Sequence, residues 1–201
     1  MSAPPGFRVL PARLDPEAQQ ALTATVIDLV SGAPPARYQT PGGQPMSVAM
    51  TSLGALGWVS DRRGYRYAAA HPATGQPWPP IPQVLLELWA DLANPQVAPD
   101  ACLVNLYRGS ARMGLHQDRD EADLTFPVLS ISLGDTAVFR IGGVRRNDPT
   151  ASVRLASGDV CILSGEARLA FHGVDRIVAG SSRLIPGGGR LNLTLRRAAP
   201  A

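Results

Sequence analysis

Arg190-Leu191-Asn192-Leu193-Thr194-Leu195-Arg196 is the stretch on which the fold turns. Its alternation is complete. Leu191, Leu193 and Leu195 take one side of an extended segment, and Arg190, Asn192, Thr194 and Arg196 take the other. Such a strand has two readings. At a sheet edge, the polar face simply meets water. On the inner wall of a barrel, two arginines require anions, because an unpaired buried charge is costly. At about 3.3 Å per residue the two arginine Cα atoms lie roughly 20 Å apart, so long side chains leaning together would clamp a short dicarboxylate. Residues 103–107 repeat the device: Leu103, Asn105 and Tyr107 share a face and offer an amide and a phenol.

Working outward, short alternating segments bounded by Gly, Asp, Asn or Pro recur at 101–107, 128–133, 136–141, 151–155, 158–163 and 168–172, before 190–196. Two helices precede them. Asp15-Pro16-Glu17 supplies a capping acid and a proline where no donor is needed, and Ala18, Leu22, Val26 and Leu29 follow at helical spacing up to Val30. The second helix runs from Pro82 to about Ala93, with Val84, Leu85, Leu88 and Leu92 on one face. Between them, residues 32–45 and 72–82 are loops rich in Gly or Pro, and Met46 to Tyr67 reads as short strands and turns. The order predicts a mainly β protein with flanking helices (α+β), its core a sandwich or jelly roll. Gly187-Gly188-Gly189 reads as a flexible lead into the last strand and lacks the strand–turn–helix setting of a phosphate loop.

Composition narrows the classes. At 201 residues, with 45% hydrophobic and 17% charged, the chain is one folded domain rather than a disordered segment. It has no run of about 18 apolar residues for a membrane span, and its start lacks the pattern of a secretory signal. Two cysteines make no disulfide framework, which fits a reducing cytoplasm; Cys102 and Cys161 read as buried small hydrophobes. All 19 basic residues are arginine, 13 of them after residue 100, and the net charge is +3. An anionic partner and a codon bias account equally well for that surplus.

There are three histidines. His116 and Asp118 form an H-x-D pair, and in an extended segment residues i and i+2 point to one side. His172, 56 residues later, would complete a facial set of two histidines and one carboxylate with an open opposite face, which suits Fe(II). Catalytic zinc uses the same donors. His71 has no partner pattern and is expected to be solvated. Asp118, Asp120, Glu121 and Asp123 form one acidic loop, in which the plain alternative for Asp120 is a solvated acid.

In this order, H-x-D, a later His and R-x-N-L-T-x-R resemble the AlkB family of Fe(II)- and 2-oxoglutarate-dependent dioxygenases. Thr40-Pro41-Gly42-Gly43, Met46 to Thr51, Leu56-Gly57-Trp58, Leu115 to Asp118 and Gly143 to Pro149 extend the resemblance over residues 36 to 197. It implies a double-stranded β-helix (jelly-roll) core at 100–197 and an N-terminal nucleotide-recognition lid at 36–80, within a single catalytic domain of residues 1–201. It implies Fe(II) on His116, Asp118 and His172, with 2-oxoglutarate on Arg190 and Arg196, helped by Asn105, Tyr107 and Asn192. Trp58, Tyr65, Met50, Asp120 and Arg168 match the positions that handle the base. The implied reaction uses O2 to oxidise methyl groups on 1-methyladenine and 3-methylcytosine. Formaldehyde is released, and 2-oxoglutarate becomes succinate and CO2: repair by direct reversal. The partner is alkylated DNA, single- or double-stranded, with RNA or protein as alternative targets and a non-catalytic binding module as the rival from another class. A cytoplasmic monomer without membrane contact is expected. Tyr107-Arg108-Gly109-Ser110 lacks the family's proline, and Ser181 to Gly189 also departs from its pattern.

Overall fold

The computed structural model describes residues 3–94 and 96–200. In chain order the elements are β1 (Phe7–Leu10), α1 (Pro16–Leu29), β2 (Ala49–Gly54), β3 (Gly57–Asp61), β4 (Gly64–Ala68) and α2 (Gln83–Leu92). Then come β5 (Ala101–Tyr107), β6 (Met113–His116), β7 (Val128–Gly134), β8 (Thr136–Ile141), β9 (Ala151–Leu155) and β10 (Val160–Leu163). A 3-10 helix (Gly165–Leu169), β11 (His172–Val178) and β12 (Arg190–Arg196) complete them. A six-stranded sheet has the order β1-β10-β7-β12-β5-β2 and a four-stranded sheet the order β6-β11-β8-β9; β3 and β4 form a separate hairpin.

β12 settles the two readings of residues 190–196. It lies between β7 and β5, antiparallel to both, with all seven residues buried. Leu191, Leu193 and Leu195 pack with Leu22 and Val26 of α1 and Leu85, Leu88 and Trp89 of α2 on the outer face of the large sheet. Each leucine contributes about 1.5–3 kcal/mol by leaving water. The other face looks toward the small sheet across an inner core that includes Phe139, Ile141, Leu155 and Val174. The architecture is a jelly roll with helices against one sheet. Cys102 belongs to the outer core and Cys161 to the inner one, both as free thiols.

α1 begins as its sequence dictates: the Asp15 side chain accepts from the Ala18 N–H at 2.8 Å, and Pro16 follows. Four expectations are corrected. Residues 168–172 are not a strand: Gly165–Leu169 is a 3-10 helix, and His172 opens β11 rather than closing a strand. The apolar run Leu169-Ala170-Phe171 only imitates a strand, because Ala170 already donates back to Ala167. The strand expected at 158–163 starts at Val160, since Ser157 and Gly158 form a turn that the Asp159 N–H closes on the Ala156 carbonyl. His71 is not solvated but 1% exposed. Its Nδ1 accepts from the N–H groups of Ala73 and Thr74, and its Nε2 lies 3.1 Å from the Pro34 carbonyl. Gly187–Gly189 is a fixed turn with hydrogen bonds at Gly188 and Gly189, not a flexible lead.

Ala49–Gly54, within the 36–80 segment, is the edge strand of the large sheet beside β5. The part of that segment that stands apart is the β3–β4 hairpin. Among the described residues, no helix is long and apolar enough to cross a membrane.

Candidate active site

His116 ends β6 and His172 begins β11, and the two are direct partners across the strand pair. The backbones must approach closely here: a Cβ on Gly173 would lie 2.5 Å from the Met113 carbonyl oxygen. The imidazole centroids are 4.5 Å apart. Each Nδ1 lies within hydrogen-bond reach of a carbonyl two residues earlier, Gly114 at 2.9 Å for His116 and Ala170 at 3.0 Å for His172. A carbonyl only accepts, so Nδ1 carries the proton and Nε2 is the free donor atom. Asp118 lies just past β6; its Oδ1 is 3.6 Å from His116 Nε2 and its Oδ2 is 3.9 Å from His172 Nε2. One ligand atom from each of the three side chains falls within 4.8 Å of the other two.

Electrostatics prepares the ligands. Burial, with His116 alongside, pushes His172 down to about 4, so it is neutral at pH 7. Burial pushes the Asp118 carboxyl up, but the Arg196 guanidinium and the two imidazoles outweigh it and hold it well below the usual carboxylate range. Arg196 donates to Asp118 Oδ2 at 2.7 Å and lies 3.4 Å from Glu121. Neutral imidazoles and an ionised carboxylate are the forms a divalent ion binds.

Asn105, Tyr107, Arg190, Asn192 and Arg196 line the same cavity as the triad. The two arginines differ in their partners. Arg196 is paired to Asp118 and Glu121, whereas Arg190, 1% exposed, donates only to the Ser132 hydroxyl at 2.8 Å. Its Nε and Nη1 and the Asn105 Oδ1 have no protein hydrogen-bond partner. The Tyr107 ring lies beneath Arg190, 5.8 Å from guanidinium carbon to centroid. Burial pushes the Tyr107 phenol up to about 12 and lowers Arg190 below the usual arginine value. Buried guanidinium donors without acceptors cost free energy that a bound carboxylate would recover, so the donor set fits an anionic cosubstrate beside the ion.

The five base-handling candidates stand outside this cavity. Met50 is buried in β2 opposite Asn105. Trp58 stacks on Tyr65 with centroids 5.4 Å apart and donates from Nε1 to Asp120 Oδ2 at 2.8 Å. Tyr65 is 46% exposed. Arg168 is buried in the 3-10 helix, and its donors go to the Phe126 and Asp118 carbonyls and to Glu121. Three residues were not singled out by the sequence. Glu121, noted only as a member of the acidic loop, is 8% exposed and also accepts from the Tyr67 hydroxyl at 2.6 Å. Ser130 and Ser132 interrupt the apolar β7 at alternate positions, a signal for a polar inner face, and their hydroxyls accept from Asn192 and Arg190 respectively. Of the surface arginines, Arg63 and Arg66 are paired to Asp61, and Arg146 lies over the Phe171 ring.

A jelly roll that seats two imidazoles and one carboxylate beside a buried, unsatisfied guanidinium has the donor set of a mononuclear metal enzyme with an anionic cosubstrate. Residues 6–196 match the 2OG-Fe(II) oxygenase superfamily. The alpha-ketoglutarate-dependent dioxygenase AlkB homolog of Caulobacter vibrioides is 68% identical over 197 residues, covering 98% of this chain and 90% of that protein. The alpha-ketoglutarate-dependent dioxygenase AlkB of Escherichia coli is 44% identical over 185 residues, 90% of this chain and 85% of that one. The solved structure of OsALKBH1 superposes with a TM-score of 0.82 at 33% identity, over 98% of this chain and 99% of that one. The chain therefore belongs to the AlkB family of 2OG-Fe(II) oxygenases, which use Fe(II), 2-oxoglutarate and O2.

Proposed function

We propose that this chain is a repair demethylase that removes methyl groups from 1-methyladenine and 3-methylcytosine in DNA, releasing formaldehyde. The observation that carries the reading is the His116–Asp118–His172 triad in one cavity with the unsatisfied Arg190 donors. Fe(II), when bound, supplies the oxidation of the methyl C–H bond with O2 and 2-oxoglutarate. The protein's part is geometry. His116, Asp118 and His172 would hold the ion; Arg190 would take one carboxylate of 2-oxoglutarate on its free donors, with Asn105, Tyr107 and Asn192 orienting it. Arg196 holds Asp118 ionised and adds positive charge beside the cosubstrate. The apolar inner core keeps water from the reacting atoms.

The β3–β4 hairpin, within the 36–80 segment, acts as the lid over the 100–197 core. Trp58 and Tyr65 stack on the flipped base, which is cationic when methylated at these nitrogens, and Asp120 exchanges the Trp58 N–H for the base's exocyclic amino group. Met50 and Arg168 support this site from below, Arg168 by fixing the Asp118–Glu121 loop. The enzyme acts as a monomer in the cytoplasm.

The test incubates the protein with Fe(II), 2-oxoglutarate and oligonucleotides carrying 1-methyladenine or 3-methylcytosine. Formaldehyde and succinate in equal amounts, with loss of the methyl mass, are expected. No methyl loss from single-stranded DNA, double-stranded DNA or RNA would remove the reading.

A further inference from the structure

Asp135 stands between β7 and β8, 2% exposed, and takes no part in the site described above. Its Oδ1 accepts from the Ser182 N–H at 2.9 Å and the Ser181 hydroxyl at 3.5 Å. Its Oδ2 accepts from the Gly189 N–H at 3.1 Å and the Gly180 N–H at 3.3 Å. Its own N–H donates to the Gly189 carbonyl at 2.8 Å. One buried carboxylate thus grips both ends of the β11–β12 loop, and Gly189 is the residue immediately before Arg190.

The packing at that grip is close. Gly134 and Tyr107 are the ladder partners of Arg190 on its two sides. A Cβ on Gly134 would lie 2.5 Å from the Gly189 carbonyl oxygen, and one on Gly189 would lie 2.4 Å from that of Tyr107. Gly187, Gly188 and Gly189 have φ of +75°, +77° and +100°, a run of conformations that side chains resist and that an unanchored triglycine would sample freely. On the cavity side, the one hydrogen bond of the Arg190 guanidinium goes to the Ser132 hydroxyl, and the group lies over the Tyr107 ring. Its position therefore follows from where its backbone enters β12, and Asp135 fixes that entry.

We propose that Asp135 is a positioning residue for the cosubstrate: by tying Gly180, Ser182 and Gly189 into one turn, it sets the place where Arg190 meets the carboxylate of 2-oxoglutarate. This rests on the assignment of Arg190 made under the proposed function. In Asp135→Asn the amide oxygen still accepts, but the NH2 faces two N–H donors. In Gly188→Ala the new methyl has open space and only the backbone is strained, so the turn is disturbed without touching Asp135.

Isothermal titration of 2-oxoglutarate into the Mn(II)-loaded protein reads binding without turnover, and steady-state assays read KM and kcat. For both variants the Kd and KM for 2-oxoglutarate are expected to rise about tenfold, the loss of one charge-assisted hydrogen bond. The kcat at saturating 2-oxoglutarate and the KM for methylated oligonucleotide stay within about twofold. If Asp135→Asn does not fold, Gly188→Ala carries the test alone. Arg190→Ala is the control. If Arg190→Ala weakens 2-oxoglutarate binding but the two loop variants do not, the role of Asp135 is overturned and the arginine assignment stands. If the loop variants lose kcat and oligonucleotide affinity in the same proportion, Asp135 is only structural and the proposal fails. If Arg190→Ala binds 2-oxoglutarate normally, the arginine assignment falls and takes the proposal with it.

Discussion

Each ligand histidine is oriented by a carbonyl two residues before it, so the metal-facing nitrogen is selected locally by the chain's own backbone. Replacing either His116 or His172 by Ala is expected to abolish demethylation and weaken Mn(II) binding by about a hundredfold or more, measured by titration calorimetry. Glu121 is the residue-scale surprise, because it lies between two buried arginines. Glu121→Gln leaves Arg168 and Arg196 facing each other with less compensation. That costs about 3 kcal/mol, or roughly 6–12 °C in Tm by calorimetry, while the ligand atoms stay in place. The thiols give a pH prediction. Burial pushes Cys161 up to about 11 and Cys102 up to about 12. The unfolded chain gives up these protons near pH 8.5 and the folded chain holds them, so stability is full below that pH and falls above it. Urea unfolding at pH 10.5 should show a loss of about 2 kcal/mol for each thiol relative to pH 8. Iodoacetamide at pH 8 should label neither cysteine before unfolding.

At the scale of elements, β6 and β11 hold the site only because Gly173 lets them meet. Gly173→Ala pushes β6 outward and parts His116 from His172; Mn(II) affinity should fall about 10–100-fold with the fold retained, checked by titration and circular dichroism. Trp58→Ala in the hairpin should instead raise the KM for methylated oligonucleotide by about 5–150-fold, the worth of one base stack, and leave the Kd for 2-oxoglutarate unchanged. What the sequence disclosed follows the same division. β12 was legible because its alternation is complete and its polar face carries charge. β1 and β6, four residues each, are too short for a period to show. The stretch before His172 misled because a short apolar run cannot tell a strand from a 3-10 turn whose hydrogen bonds are local. The triad was legible through the scarcity of histidine; Glu121 and Asp135 were not, because an acid in a loop looks the same whether water or an arginine awaits it.

For the whole molecule, the two sheets give the cavity its walls while the helices back the larger one from outside, and what fills the cavity joins the inner core to itself. Mn(II) and 2-oxoglutarate, each at about 100 times its Kd, should add about 2.7 kcal/mol apiece, and Tm should rise by roughly 5–10 °C for each in differential scanning fluorimetry. A rise with Mn(II) but none on adding 2-oxoglutarate would place the cosubstrate elsewhere.

β12 sits at the middle of the large sheet yet is made from residues 190–196, near the end of the sequence. During synthesis, β5 and β7 therefore emerge long before the strand that will lie between them, and each waits with an open edge. A ribosome that stops short of residue 190 leaves no weakened enzyme behind. It leaves two sticky strands, a cavity without its arginines, and a chain for chaperones or proteases to claim.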